Sequence, residues 1–321
     1  MSFGLVLKEL DERARERGGG VYVATMTIVV FFEDAAIGEL ARDRIHTLAA
    51  RHHSRVILFD GTLSEGTHHV SGDDWIELGA KGSNGALLRG AANALRLPEA
   101  PVILLWIAPG IGDDERFCAL SRDARTVVYN SSLVDAGDAA LRQLVEYVGG
   151  HPELPLADIA YLRLAPWQES VAILFDGEES SALADLTRVE IACGSDPEAF
   201  YLLGWLASRL GWKPASGDTL SGPSGKQIAF AIRREGEPRR IARVALTATA
   251  SSFVAEVDPH GETINLSVSG SRAKPPRLRA INNPGVAALV ERAILSSQKD
   301  RVFQASLAAA GAILAFGAPS P

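Results

Sequence analysis

Three apolar runs limit what this sequence can fold into more than any other feature: VYVATMTIVVFF at residues 21–32, RVILF at 55–59 and VILLWI at 102–107. A strand with one wet face alternates polar and apolar positions. A run without polar positions has both faces covered, as in a parallel sheet sandwiched by helices. After the first run, Asp34 is placed to cap a helix whose Ile37, Leu40, Ala41, Ile45 and Leu48 share a face. Strand, helix and strand make the shortest unit that brings a chain back parallel to itself. Helices are also expected at 84–95, up to 122 and at 138–148, with strands at 75–78 and 126–129. Their alternation predicts an α/β domain over residues 20–149, Rossmann-like, with a mostly parallel sheet and helices on both faces. The segment GGHPELPL at 149–156 reads as a linker.

The chain has 321 residues, enough for a second core, and residues 156–321 read as an α+β domain with antiparallel strands. Its first part, 156–212, holds three of the five tryptophans. Pro166 suits the first turn of a helix, where its fixed φ is helical and its missing N–H would be unbonded anyway. Trp167, Val171, Leu174 and Phe175 then fall on one apolar face. A second helix is expected to start at Ser195 with a capping box, the hydroxyl accepting from a backbone N–H while Glu198 reaches back, and to end at a left-handed Gly211. Ala199, Leu202, Leu203, Leu206 and Leu210 form its buried stripe. That leaves Tyr201, Trp205, Arg209 and Trp212 toward another side, with Trp205 and Arg209 spaced to stack. Residues 187–193 read as a strand, and 227–232, 241–249, 252–257 and 263–269 as antiparallel strands. The stretch 272–285 reads as an irregular connection, and 286–297 and 302–314 as helices.

The net charge of −7 is uneven: residues 1–210 carry 18 basic and 31 acidic side chains, and 211–321 carry 14 and 8. Such asymmetry orients a protein partner or a homo-oligomer. No stretch has the apolar length of a membrane span, and the N-terminal LKELDERARERGGG lacks the apolar core of a signal peptide, so a cytoplasmic protein without a membrane partner is expected. Cys118 and Cys193 are 75 positions apart and read as buried thiols.

Motifs for small-molecule chemistry fall short. In APGIGDDERF the third glycine of a dinucleotide fingerprint is Glu115, and Asp113 and Asp114 suit a helix start while repelling a pyrophosphate. SGPSGKQ lacks the first glycine of a phosphate loop and has Gln227 where Ser or Thr would hold magnesium. His52, His53, His68 and His69, with Asp73 and Asp74 behind, lack ligand spacing and read as solvated. No catalytic residue, cofactor or metal is therefore predicted. Arg233, Arg234, Arg239, Arg240 and Arg243 cluster in the second domain, followed by Arg272, Lys274, Arg277 and Arg279. They make either an anion or docking patch or a set of solvated hairpin tips. Nucleic acid is disfavoured, because no aromatic residues interleave these arginines.

The segments DIAYLRLAPWQESVAILFD and LLGWLASRLGW resemble the paired signatures of the glucose-6-phosphate dehydrogenase assembly proteins, the OpcA family. The resemblance runs from about residue 20 to 310 and is most specific at Arg163, Pro166, Trp167, Trp205 and Trp212. It implies a non-catalytic protein that binds glucose-6-phosphate dehydrogenase, supports its oligomer and raises its activity in the oxidative pentose phosphate pathway. Trp167, Trp205, Arg209 and Trp212 then either anchor that partner or hold the helix pair together. The sequence departs from the family pattern at Ala165 and Gln168, where Thr and Arg are common, and at LLWI, where a double tryptophan is common. The alternative is an enzyme or sensor that binds a nucleotide or sugar phosphate in the first domain.

Overall fold

The structure is a computed structural model that describes residues 3–16, 24–72, 74–112, 114–133, 138–296 and 299–317; Asp73 and Asp113 and the expected strand's first residues, 21–23, fall outside them. In chain order the first elements are α1 (Phe3–Glu16), β1 (Met26–Phe32), α2 (Ala35–His52), β2 (Ser54–Ser64), β3 (His68–Ser71), β4 (Trp75–Lys81) and α3 (Gly85–Leu95). Next come β5 (Val102–Ile107), α4 (Glu115–Ser121), β6 (Thr126–Tyr129), α5 (Ala139–Gly150), β7 (Leu156–Asp158), α6 (Ile159–Leu162), α7 (Ala165–Leu174), β8 (Leu186–Cys193) and α8 (Asp196–Leu210). The chain continues through β9 (Lys213–Pro214), β10 (Thr219–Ser221), β11 (Gln227–Arg234), β12 (Ile241–Ala248), β13 (Ser251–Val257), β14 (Thr263–Gly270) and β15 (Lys274–Ala280) to α9 (Val286–Leu295) and α10 (Arg301–Gly317).

Two compact units result. The first holds a seven-stranded sheet in the order β3-β4-β2-β1-β5-β6-β7, parallel throughout except for β3 at its edge. β1 lies in the middle, with Val29 opposite Ile57 on one side and Leu104 on the other. Its residues Ile28 to Phe32 are all buried, which is why these five positions carry no polar residue. Asp34 caps α2 as its position predicts, accepting from the Ile37 N–H at 2.9 Å. Leu40 does not join the buried face of that helix and stays exposed. Each unit is discontinuous in sequence, whereas the sequence suggests a single cut between 149 and 156. β7 extends the first sheet beside β6, and α9 packs on β6 and α2, where Glu291 pairs with Arg51 and His52, each at 2.8 Å. α5 belongs to the second unit.

The second unit is built on an eight-stranded sheet in the order β15-β14-β13-β12-β8-β11-β10-β9. Residues 227–232 are not antiparallel to their main neighbour: β11 runs parallel to β8, because the connection between them crosses over through α8. The expected irregular stretch contains β15, an edge strand where Pro275 and Pro276 take no ladder bond from a further neighbour. Val189, Ile191, Val244, Leu246, Phe253 and Ala255 line the buried face of the sheet. α7 packs on β13 and β14, and its C-terminal Phe175 meets Phe253 with ring centroids 4.4 Å apart. α8 lies on β8 and is covered by α10. Gly204 permits that approach, since a Cβ there would stand 2.3 Å from the Ser306 carbonyl oxygen.

Candidate functional site

The segments that single out residues 156–212 fold into α6, α7 and α8. Pro166 occupies the first turn of α7, and Trp167, Val171, Leu174 and Phe175 are all buried, the apolar face that their spacing predicts. At the start of α8 the expected capping box does not form. Ser195 makes no cap hydrogen bond; its hydroxyl donates to the Glu198 carboxylate, which also takes the Arg163 guanidinium. Glu198 is only 1% exposed. A carboxylate that deep is costly to bury without partners, and it turns away from the helix end toward Arg163 and the Ser195 hydroxyl. Gly211 ends α8 in the left-handed region, with φ of 68°.

Around this pair the chain is tied down further. Arg279 of β15 donates to the Pro166 carbonyl at 2.8 Å and the Ser170 hydroxyl at 2.9 Å, and pairs with Glu169. Tyr161, Tyr201 and Phe303 form an aromatic cluster with centroids 5.0 to 5.9 Å apart. Burial raises the Tyr161 phenol above its ordinary range. Tyr201, expected on the side of α8 away from the core, is fully buried, because α10 encloses that side as well.

The candidate anchors divide. Trp167 and Trp212, 5% and 7% exposed, are packing residues of the unit and have little area to offer a partner. Trp205 is half-buried and Arg209 exposed, so they remain on the surface of α8, and no stacking of the guanidinium on the indole occurs among the described residues. Trp212 also forms one wall of an apolar cleft of about 250 Å³ with Leu183, Leu186, Pro223 and Ile228, beside Lys226. The Lys226 ammonium donates to the Asp185 carbonyl at 2.8 Å, so SGPSGKQ is a structural turn.

The arginine cluster is an ion-pair network rather than a bare cationic patch. Arg233 meets Glu190 at 3.2 Å, Arg240 meets Glu237 at 2.9 Å, Arg243 lies 3.8 Å from Glu256, and Arg234 pairs with Asp196. Arg239 holds a left-handed backbone in the β11–β12 turn, with φ of 64°. That turn packs on Gly194, where a Cβ would stand 1.9 Å from the Glu237 carbonyl oxygen.

In the first unit, ligands of such folds bind where the strand order reverses, beyond the carboxyl ends of β1 and β5. Here that crevice holds acids. Asp34 occupies the N-terminus of α2, Asp114 caps α4 through the Arg116 and Phe117 N–H groups at 2.8 and 3.4 Å, and Arg116 spans from Asp114 to Glu33. Asp60, within β2 and opposite Phe32 at the end of β1, is held by Arg42 and by the Thr62 amide and hydroxyl at 2.6 to 2.8 Å. Gly38, the sole glycine of residues 33–38, is filled by the Phe32 ring, 2.3 Å from where a Cβ would be. The four histidines are dispersed, His52 on Glu291 and His53 in the left-handed C-cap of α2, with His68 and His69 on β3.

A family described as the C-terminal domain of a glucose-6-phosphate dehydrogenase subunit matches residues 154–307. A Synechocystis protein named "Putative OxPP cycle protein OpcA" is 36% identical over 141 residues, 42% of this chain and 29% of the relative. The Nostoc punctiforme protein of the same name is 35% identical over 136 residues, 41% of this chain and 29% of the relative. The matches thus span under a third of these relatives' length. Among solved structures, KijD10, a 3-ketoreductase from Actinomadura kijaniata in complex with NADP and TDP-benzene, aligns over 90% of this chain and 96% of its own with a TM-score of 0.56. At 11% identity this likeness is one of fold alone. The dinucleotide that such folds carry does not fit here: its pyrophosphate needs free N–H groups and a glycine turn, and the turn after β1 presents Glu33, the capping Asp34 and a ring-filled Gly38. Residues 154–307 thus resemble the C-terminal domain of a glucose-6-phosphate dehydrogenase subunit, and about two fifths of the chain is similar to proteins named OpcA.

Proposed function

We propose that this chain is a non-catalytic partner of glucose-6-phosphate dehydrogenase that supports the enzyme's oligomer and raises its activity at the entry to the oxidative pentose phosphate pathway. The observation that carries the reading is the match to the dehydrogenase-associated domain over residues 154–307, a range that holds the Arg163–Glu198 pair, Trp205 and most of the second sheet. The acid-capped crevice of the first unit supports it, since carboxylates at helix N-termini repel the phosphates that a nucleotide or sugar phosphate would bring. The partner's activity rises only if this chain binds the active form better than the inactive one. Pro166, Trp205 and Arg209 are the motif residues with surface to make that contact, and Arg163, Trp167 and Trp212 hold the surface in shape. The test is co-elution of the purified chain with the dehydrogenase of its own organism. A shared peak that Trp205→Ala with Arg209→Ala weakens is expected, and separate elution removes the reading.

A further inference from the structure

The apolar cleft beside Trp212 lies wholly within the second unit, between the 3-10 segment Gly177–Asp185, the end of α8 and the turn that joins β10 to β11. Leu186 of β8, Ile228 of β11 and Trp212 give it buried apolar walls. Walls of that kind close on each other unless something keeps them apart. Here the open space coincides with Gly222. A Cβ built there would stand 3.4 Å from the Ile228 Cδ1 and 3.8 Å from the Trp212 Cδ1, so the glycine faces both walls. Gly222 is not one of the left-handed glycines, and its backbone would accept another residue. An alanine would fit in ordinary contact, whereas a longer side chain would fill the cleft.

The polar groups around the cleft are donors. Lys226 is the one charged residue of its lining among the described residues. Its ammonium gives one N–H to the Asp185 carbonyl at 2.8 Å and lies 3.4 Å from the Asp185 carboxylate. An ammonium has three N–H groups, so one is left for a ligand, and the Asp185 side chain, 64% exposed, can turn to water. The Trp212 indole N–H makes no hydrogen bond among the described residues, although the residue is 7% exposed. Nε1 is bonded to Cδ1, which places that donor on the ring edge facing Gly222.

An apolar recess edged by donors, with a single positive charge, selects a ligand that has an apolar body and an acidic end. Its size narrows the class. A dry apolar cavity of about 150 Å³ holds benzene, so about 250 Å³ has room for one ring or a branched chain with a short acid arm. A nucleotide is too large for it, and a sugar would leave most of its hydroxyls without partners along Leu186 and Ile228.

We propose that this cleft binds a small monocarboxylate with a single-ring or branched apolar body. The carboxylate lies at Lys226, and the body fills the space that Gly222 leaves open between Trp212, Leu186 and Ile228. This goes beyond the dehydrogenase reading and does not depend on it. The test is titration of the full chain with phenylacetate and with phenylacetamide, an uncharged molecule of the same shape, followed by tryptophan fluorescence because Trp212 is a wall of the site. The wild type is expected to give a saturable change with phenylacetate at a dissociation constant below about 1 mM, within reach of about ten heavy atoms. The amide is expected to bind at least about fivefold more weakly, since it forgoes a charge-assisted hydrogen bond. Gly222→Leu is expected to abolish binding of both with unchanged circular dichroism, and Lys226→Met to bring acid and amide to equal affinity. Should Gly222→Leu fail to fold, the ratio in Lys226→Met gives the answer. No saturable response of the wild type up to about 10 mM acid overturns the proposal, as does equal wild-type affinity for acid and amide. Undiminished binding in a folded Gly222→Leu, or an acid preference that survives Lys226→Met, overturns it too.

Discussion

Replacing Gly204 with alanine puts a methyl group between α8 and α10, and the structure gives the size and sign of the effect. A Cβ at 204 stands 2.3 Å from the Ser306 oxygen and 2.8 Å from the Ala310 nitrogen, where ordinary contact begins at 3.4 Å. Relief requires α10 to withdraw by about 1 Å, which loosens Phe303, Leu307 and Ile313, all buried. Overpacking of this kind costs about 1–3 kcal/mol. Against it stands the gain of about 1 kcal/mol when alanine replaces glycine inside a helix. The net expectation is a loss of about 1 kcal/mol, with Gly204→Val clearly worse. Gly90, inside α3, provides the control, because a Cβ there meets nothing within 4 Å. Gly90→Ala should therefore stabilise its unit by about 0.5–1 kcal/mol. The two substitutions are chemically identical and differ only in what the methyl group meets. Urea unfolding followed by circular dichroism and tryptophan fluorescence measures both, read as midpoint shifts at constant slope. If Gly204→Ala stabilises as Gly90→Ala does, the reasoning about the α8–α10 contact is refuted.

Three further outcomes follow from the same geometry. Glu198→Ala leaves the Arg163 guanidinium partly buried without its carboxylate and should cost about 3 kcal/mol, while Arg163→Met together with Glu198→Leu recovers most of the loss in the same urea assay. The Cys193 thiol, pushed up to about 12 by burial, should resist thiol reagents at pH 8 until the protein unfolds; because its ordinary value is 9.0, its contribution is present below pH 9 and is lost as pH rises from there toward about 12. Thermal unfolding of the wild type in about 1 mM NADP should shift by less than about 1 °C, since a tight ligand would add kilocalories by mass action and Asp34 and Asp114 already cap the helix starts at the crevice.

Much of the fold was legible in the sequence where one local cause dominates. The unbroken apolar runs announced a covered parallel sheet, Asp34 and Gly211 marked helix ends, and Pro166 marked a helix start, each through the chemistry of a single residue. What was not legible depended on partners far along the chain. Ser195 reads as a cap until Arg163 claims Glu198, and Tyr201 reads as outward until α10, about a hundred residues later, covers it. The direction of β11 is set by a crossover through α8, and no pattern within residues 227–234 encodes it. In the candidate site, Trp167, Trp205 and Trp212 were identifiable as a set, yet only packing separates the two inside from the one at the surface. The carboxylates that neutralise Arg233, Arg234 and Arg243 come from other strands and from α8, so a run that looks cationic in sequence is balanced in space.

The central claim, that the chain acts through another protein, is tested most directly by titrating it into a fixed, limiting amount of its own organism's glucose-6-phosphate dehydrogenase and following NADPH formation. The account predicts turnover that rises and saturates with added chain, no turnover from the chain alone, and a weaker rise with Trp205→Ala and Arg209→Ala together. A flat titration, or reduction of NADP by the chain without the enzyme, would contradict it.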